Sequence, residues 1–272
     1  MSIMRCDGLR LRFAVIAIAA FGGQGALLCQ EAARSPLMNE EQNGILDRVR
    51  AYASSYVSQL PNFICVEKTW RKLAEAKGKP YKTVDELEDK VSFVEGRETY
   101  QRLPAQTIGK GNGKRGFIPK FEVRGEFGTL MRAVLVLDHA SFSWLGWDHT
   151  GNVRTAVFAY RVSKNQSTTA VTNGRTDRAI VAYHGLVFAE PQKGAVVKLT
   201  ADAEDIPERF GFSKAVSVLS YGVVEIAGKS YLLPVTSVYS GLSTAGLFRN
   251  ESEFRDYKKF GSESSITFGD EK

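Results

Sequence analysis

Two Asp-His dipeptides ten residues apart, Asp138-His139 and Asp148-His149, hold the groups in this 272-residue chain best suited to metal chemistry. Two imidazoles and two carboxylates can complete a zinc site. Their setting argues against that use. The only other histidine is His184, no His-x-x-x-His spacing aligns two imidazoles on a helix, and no cysteine pair fixes a geometry. Both dipeptides are read as loop residues, and no metal is expected. Gly111-Asn-Gly-Lys-Arg-Gly116 matches the spacing of a dinucleotide-binding turn, whose glycines let backbone approach a pyrophosphate at a helix N-terminus. No strand leads into it, and Pro119 falls where that helix would run, so it is read as a surface loop and no cofactor is expected. The serines lack a Gly-x-Ser-x-Gly elbow, and Tyr239-Ser-Gly-Leu-Ser243 reads as a Ser/Gly-rich turn. Without a catalytic constellation, the chain is not expected to be an enzyme.

The aromatic residues offer a different chemistry. Tyr52 and Tyr56 fall in a helical pattern, Trp144 and Trp147 flank Leu145-Gly146, and Phe158, Tyr160, Tyr183, Tyr221 and Tyr231 fall in strand-like runs. These nine are the candidate ligand-binding set. Aromatic side chains in strands commonly build a core. A curved sheet can also enclose more apolar surface than its helices fill, which leaves a pocket. Core and pocket both remain open as readings.

The elements that would position this set can be read from periodicity. Ile45, Val49, Tyr52, Tyr56 and Leu60 recur at helical steps, Asn39 and Gln42 have capping-box spacing, and Pro61 ends the pattern. A helix over Asn39–Leu60 is expected, its stripe lying on the open side of a curved sheet. A second helix is expected over Phe127–Leu137 from Leu130, Val134 and Leu137. Strand patterns cover Phe63–Trp70, Lys90–Glu95, Thr99–Leu103, Val153–Val162, Ala179–Ala189, Ala195–Thr200, Val216–Ile226, Ser230–Tyr239, Glu253–Phe260 and Ser265–Phe268. Glu190–Gly194 and Ala227–Lys229 suit hairpin loops. The expected class is mainly β with some α: a highly curved antiparallel sheet or incomplete barrel, covered by the N-terminal helix and one further helix. Apolar groups at Tyr221, Val223, Val224 and Ile226 fall on both faces, so the sheet is expected to be curved or doubly covered.

The N-terminus suggests a compartment. Arg5, Arg10 and Arg12 precede the nine-residue apolar run Phe13–Phe21, a pattern read as an export signal over residues 1–30 and too short to cross a hydrocarbon core of roughly 30 Å as a helix. Residues 31–38 are read as a linker and 39–272 as one domain. Cys29 follows Leu28, a poor setting for lipidation, and the poor cleavage sites leave a retained N-terminal anchor as an alternative. The protein is expected to be periplasmic or secreted. Residues 1–30 hold three Arg against one Asp, which leaves +4 of the formal +6 charge, dispersed enough that no nucleic-acid partner is expected. Cys65, in an apolar run, is expected to be buried.

Several segments carry a resemblance: Leu60-Pro-Asn-Phe-Ile-Cys65 after a helix, Gly125-Glu-Phe-Gly128, Val157-Phe-Ala-Tyr-Arg-Val162, Ser220-Tyr-Gly-Val-Val-Glu225, Tyr231-Leu-Leu-Pro234, and Phe254 with Tyr257-Lys-Lys-Phe260. Together they resemble a group of uncharacterised exported bacterial proteins, over nearly all of the chain that follows the signal. The layout of one helix followed by a long antiparallel meander is similar to the lipoprotein-carrier fold of LolA, LolB and RseB. That resemblance implies an incomplete barrel with a helix-covered mouth and a cavity for acyl chains. The expected partner is therefore an apolar small molecule or lipid. The alternative is an envelope protein partner, with the same core packed solid.

Overall fold

A computed structural model of the protein describes residues 37–104, 125–173, 177–244 and 246–261, all within the unit formed by Pro36–Lys272. The segment read as an export signal, Cys29, the glycine-rich stretch 111–116 and the strand expected at Ser265–Phe268 lie outside the described residues.

Helix α1 spans Glu40–Gln59, with Asn39 as its N-cap. Asn39 Oδ1 accepts from the Gln42 N–H at 2.9 Å, and Gln42 Oε1 accepts from the Asn39 N–H at 3.0 Å. The capping box read from the sequence is thus formed and satisfies two otherwise orphaned donors. The buried stripe is Ile45, Leu46, Val49, Ala53 and Tyr56. Tyr52 sits at its margin.

Strands β1 (Phe63–Ala74), β2 (Lys82–Val94) and β3 (Arg97–Arg102) follow, then β4 (Ser141–Thr150), β5 (Val153–Val162), β6 (Ala170–Asn173), β7 (Asp177–Ile180), β8 (Ala182–Ala189), β9 (Val196–Glu204), β10 (Phe212–Ile226), β11 (Lys229–Ser243) and β12 (Gly246–Lys259). Ten of them form one curved antiparallel sheet ordered β3-β2-β1-β12-β11-β10-β9-β8-β5-β4, which does not close into a barrel. β6 and β7 form a separate two-stranded flap. This is the mainly β, helix-covered architecture expected from the sequence. The β10–β11 connection is a two-residue turn, Ala227-Gly228, with φ of 51° and 75°, the left-handed conformation that a tight hairpin requires.

Three expectations are corrected. The second helix begins as a short α-helical turn, α2 (Thr129–Arg132), and widens into a π-turn over Ala133–Leu137, where the Asp138 N–H bonds to the Ala133 carbonyl at 2.9 Å. The extra residue per turn brings Leu135 inward beside Val134 and leaves Leu137 exposed. Asp148-His149, read as a loop, belongs to strand β4, and Tyr239-Ser-Gly-Leu-Ser243 runs within β11.

α1 lies on the inner face of the sheet. Its stripe packs with Phe158, Tyr160, Tyr183, Leu199, Leu219 and Tyr221 from β5, β8, β9 and β10. The β8–β9 turn docks on the same helix: Arg48 Nε donates to the Pro191 carbonyl at 2.9 Å, and a Cβ at Gly194 would lie 2.3 Å from the Arg48 carbonyl carbon. A second inner cluster gathers Phe63, Cys65, Val91, Phe93, Phe127 and Phe254. Cys65 is buried there, and burial raises its thiol well above the ordinary range. On the other face Val157, Phe188 and Val197 form a small satellite, with the Lys198 ammonium 4.8 Å from the Phe188 ring, whereas Val223 is 75 % exposed.

Candidate functional site

The inner face changes character along single strands. In β1 the inward residues run Phe63, Cys65, Glu67, Thr69, Arg71, from apolar to charged. Strand pairing carries that change sideways. Arg71 stands opposite Asp85 of β2 and Asn250 of β12; Asn250 faces Tyr239 of β11, Tyr239 faces Ser217 of β10, and Ser217 faces Ala201 of β9. Directly opposed residues share a face. One row across six strands therefore passes from a charged end to a floor of small side chains.

At that floor lies a chamber of about 570 Å³. Ala201, Ala203, Ala215 and Ser217 supply its base; neighbouring inward positions such as Leu199 and Leu219 are bulkier. Small residues at consecutive paired positions leave the space that larger ones would fill. Leu130 and Ala133, from α2 and the π-turn, form one side. The flap supplies another, through Val171, Thr172 and the flanking Thr168 and Thr169.

The flap is fastened to the body by Asp138. This carboxylate is fully buried (0 % exposed) and accepts from the Thr168 N–H at 2.9 Å, the Thr168 hydroxyl at 2.8 Å and the Tyr183 hydroxyl at 2.8 Å. Burial, together with this bond to a carboxylate, raises the Tyr183 phenol. At the far end Arg209 Nε pairs with Asp177 at 3.0 Å, while Val171 and Ala179 pack on Phe210 and Phe212.

Next to the chamber is a polar recess of about 30 Å³, lined by Glu67, Thr69, Arg71, Asp89, Asn250 and Ser252 among others; Glu126, Ser237 and Tyr239 border both spaces. Arg71 holds Asp85 through Nε and Nη2, and its Nη1 is buried without a partner. Glu126 is placed by the Gly125–Phe127 turn, whose Gly125 and Phe127 N–H groups donate to the Glu98 carboxylate at 3.2 Å. Burial first, then the nearby charges of Glu67 and Glu98, hold the Glu126 carboxyl protonated well above the usual range. The Tyr100 hydroxyl lies 2.6 Å from Glu98 and 3.0 Å from Glu126. Its one proton suits Glu98, leaving its oxygen to accept from protonated Glu126.

Of the nine aromatic candidates, Tyr183 lines the chamber. Tyr56, Tyr160 and Tyr221 lie in the core under α1 with hydroxyl partners: the carbonyls of Leu232 at 2.9 Å, Thr200 at 2.6 Å and Glu126 at 3.4 Å. Tyr52 is half-buried beside Tyr56, with ring centroids 5.7 Å apart. Phe158 is buried against Trp144, and Tyr231 packs against the Phe63 cluster. Trp144 and Trp147 meet edge to face at 5.1 Å near the β4 edge. Trp147 is 41 % exposed, with the Arg154 guanidinium 3.8 Å from its ring. The structure thus brings Tyr52, Tyr56 and Tyr221 together in one place, the two tryptophans with Phe158 in another, and Tyr183 with the chamber. Sequence reasoning missed the floor residues and the polar recess. The only signal for the floor was the Ala/Ser content of Ala201-Asp-Ala203 and Ala215-Val-Ser217.

The Asp-His dipeptides serve separate purposes: Asp138 anchors the flap, whereas the Asp148 carboxylate accepts from the His149 N–H at 2.7 Å in exposed β4. His184 Nδ1 lies 2.8 Å from Glu204. Among the described residues no three His, Cys, Asp or Glu side chains converge as a metal site, and no helix is long and apolar enough to cross a membrane.

No family model and no curated protein matches the chain. Among solved structures it is similar to a LolA superfamily protein from Nitrosomonas europaea, with 9 % identity, a TM-score of 0.37, and 81 % of this chain and 94 % of that chain covered. It is also similar to a DUF1329 family protein from Desulfovibrio piger, with 8 % identity, a TM-score of 0.40, and coverage of 85 % and 98 %.

Proposed function

We propose that this protein is a non-enzymatic binding protein of the cell envelope, periplasmic or secreted, that holds an apolar or lipid-like molecule in the chamber beside α2. The observation that carries this reading is the floor of Ala201, Ala203, Ala215 and Ser217, which leaves about 570 Å³ beside the packed cluster under α1. That volume falls in the range of small-molecule pockets, and its wall mixes apolar side chains, among them Leu130, Val171, Val181, Phe212 and Leu219, with threonines and serines. Within the nine aromatic candidates, Tyr183 is the residue we assign to the ligand. The export pattern at residues 5–28 supplies the compartment. The alternative of an envelope interaction subunit draws on the core under α1, where Tyr56, Tyr160 and Tyr221 are packed with bonded hydroxyls.

Mass spectrometry of organic extracts from the purified protein tests the proposal. Near-stoichiometric acyl-chain species are expected. Extracts that match a control protein of similar charge, together with no saturable uptake of a fluorescent fatty-acid probe, would refute it.

A further inference from the structure

The row that crosses the sheet from Arg71 to Ala201 joins a recess lined by charged side chains to a chamber lined by small, apolar and hydroxyl-bearing ones. Arg71 is 7 % exposed, and two of its three guanidinium nitrogens are engaged by the two oxygens of Asp85. Its charge is therefore already matched, while Nη1 remains a buried donor without a partner, and Arg71 is one of the residues that line the polar recess. A buried donor left unsatisfied is costly, so this atom favours an acceptor delivered to it. The recess, about 30 Å³, has room for a group of about water's size. Glu67 and the Asp89–Arg102 ion pair, at 2.7 Å, are also in its wall. With both guanidiniums already paired to carboxylates and Glu67 beside them, the recess suits an uncharged oxygen better than an anionic head.

From β1 to β10 the row takes three strand spacings, about 14 Å at 4.7–4.9 Å each. Tyr239 stands between, bordering both spaces. Resting on the chamber as the ligand site, we infer that its occupant is an uncharged amphiphile of the monoacylglycerol or long-chain alcohol class. Its chain lies over Ala201, Ala215 and Ser217, and a hydroxyl or ester oxygen accepts from Arg71 Nη1.

The test is displacement of a bound fluorescent fatty-acid probe by 1-monolaurin and, separately, by laurate of the same chain length. Wild-type protein is expected to prefer monolaurin by about tenfold, the worth of one hydrogen bond from a charged donor. Arg71→Lys keeps a cation for Asp85 but lacks the second fork arm, and it is expected to abolish that preference while still binding the probe. Equal displacement by the two competitors, or a preference that survives Arg71→Lys, overturns the inference while leaving the chamber as a binding site. That result would assign the recess to an ordered water only. If Arg71→Lys fails to fold, the wild-type preference decides alone. Failure of the wild-type protein to bind the probe removes the chamber reading and this inference together.

Discussion

Replacing Asp138 by alanine should loosen the flap before it unfolds the protein. The side chain is fully buried and accepts three hydrogen bonds of 2.8 to 2.9 Å, two from Thr168 and one from Tyr183. Tyr183 is itself buried, so its hydroxyl would be stranded, at a cost of about 1–3 kcal/mol. Thr168 is exposed, and water can replace much of what it loses, so its two bonds add about 0.5–1 kcal/mol in all. The expected loss is about 1.5–4 kcal/mol in urea unfolding, with faster amide exchange confined at first to the described flap residues, 168–173 and 177–180. Tyr183→Phe removes only a donor and should cost about 1 kcal/mol. The double variant should cost less than the sum, because the stranded hydroxyl is then absent. An Asp138→Ala protein within 0.5 kcal/mol of wild type, with unchanged exchange in the flap, would refute this reasoning.

Other consequences follow from particular contacts. Gly194→Ala forces a Cβ to within 2.3 Å of the Arg48 backbone at a φ of 70°; a loss of 2 kcal/mol or more is expected in urea unfolding. Tyr56→Phe removes the bond to the Leu232 carbonyl and should cost about 1 kcal/mol, and Tyr56→Ala about 3–5 kcal/mol; neither should alter probe affinity in the folded protein, because α1 lies over filled core. Burial holds the Glu126 carboxyl well above its ordinary value of 4.5 when folded, so as pH rises past that value the unfolded chain binds fewer protons than the folded one. Stability from this group is complete below the ordinary carboxylate range and falls as pH rises, by up to about 1.4 kcal/mol per pH unit; urea midpoints of Glu126→Gln across pH 4 to 8 should show a flatter profile.

What was legible in the sequence was local. Asn39, Gln42 and the four-residue steps of the apolar stripe sufficed for α1, and Val153–Val162 appears as β5 with the bounds its β-rich run suggests. Strand β4 was illegible because its tryptophans are three apart, whereas a plain strand puts only even spacings on one face. A bulge between Trp144 and Gly146 absorbs the extra residue, so Trp144 and Trp147 stand opposite Phe158 and Ala156 on the same face. The inward polar band was hidden for another reason: in Phe63–Lys72 both alternating sets carry charge, Glu67 and Arg71 in one, Lys68 and Lys72 in the other. Alternation therefore did not say which set goes inside. The chamber floor is hardest to read, since Ala201 and Ser217 become neighbours only through the register of β9 against β10. Likewise the widening of α2 into a π-turn, which sets Asp138 under the flap, has no marker in the run Ala133–Leu137.

The most direct test of the chamber is to fill it. Ala201→Leu with Ser217→Leu adds roughly 150 Å³ of side chain, about a quarter of the 570 Å³ available, from two paired strands whose side chains already point into the space. Titration of a fluorescent fatty-acid probe into wild type and the double variant, each checked for folding by circular dichroism, should show one saturable site in wild type. In the filled protein the affinity should be at least about tenfold weaker. Equal affinity in the two folded proteins would contradict the assignment of the ligand to this chamber.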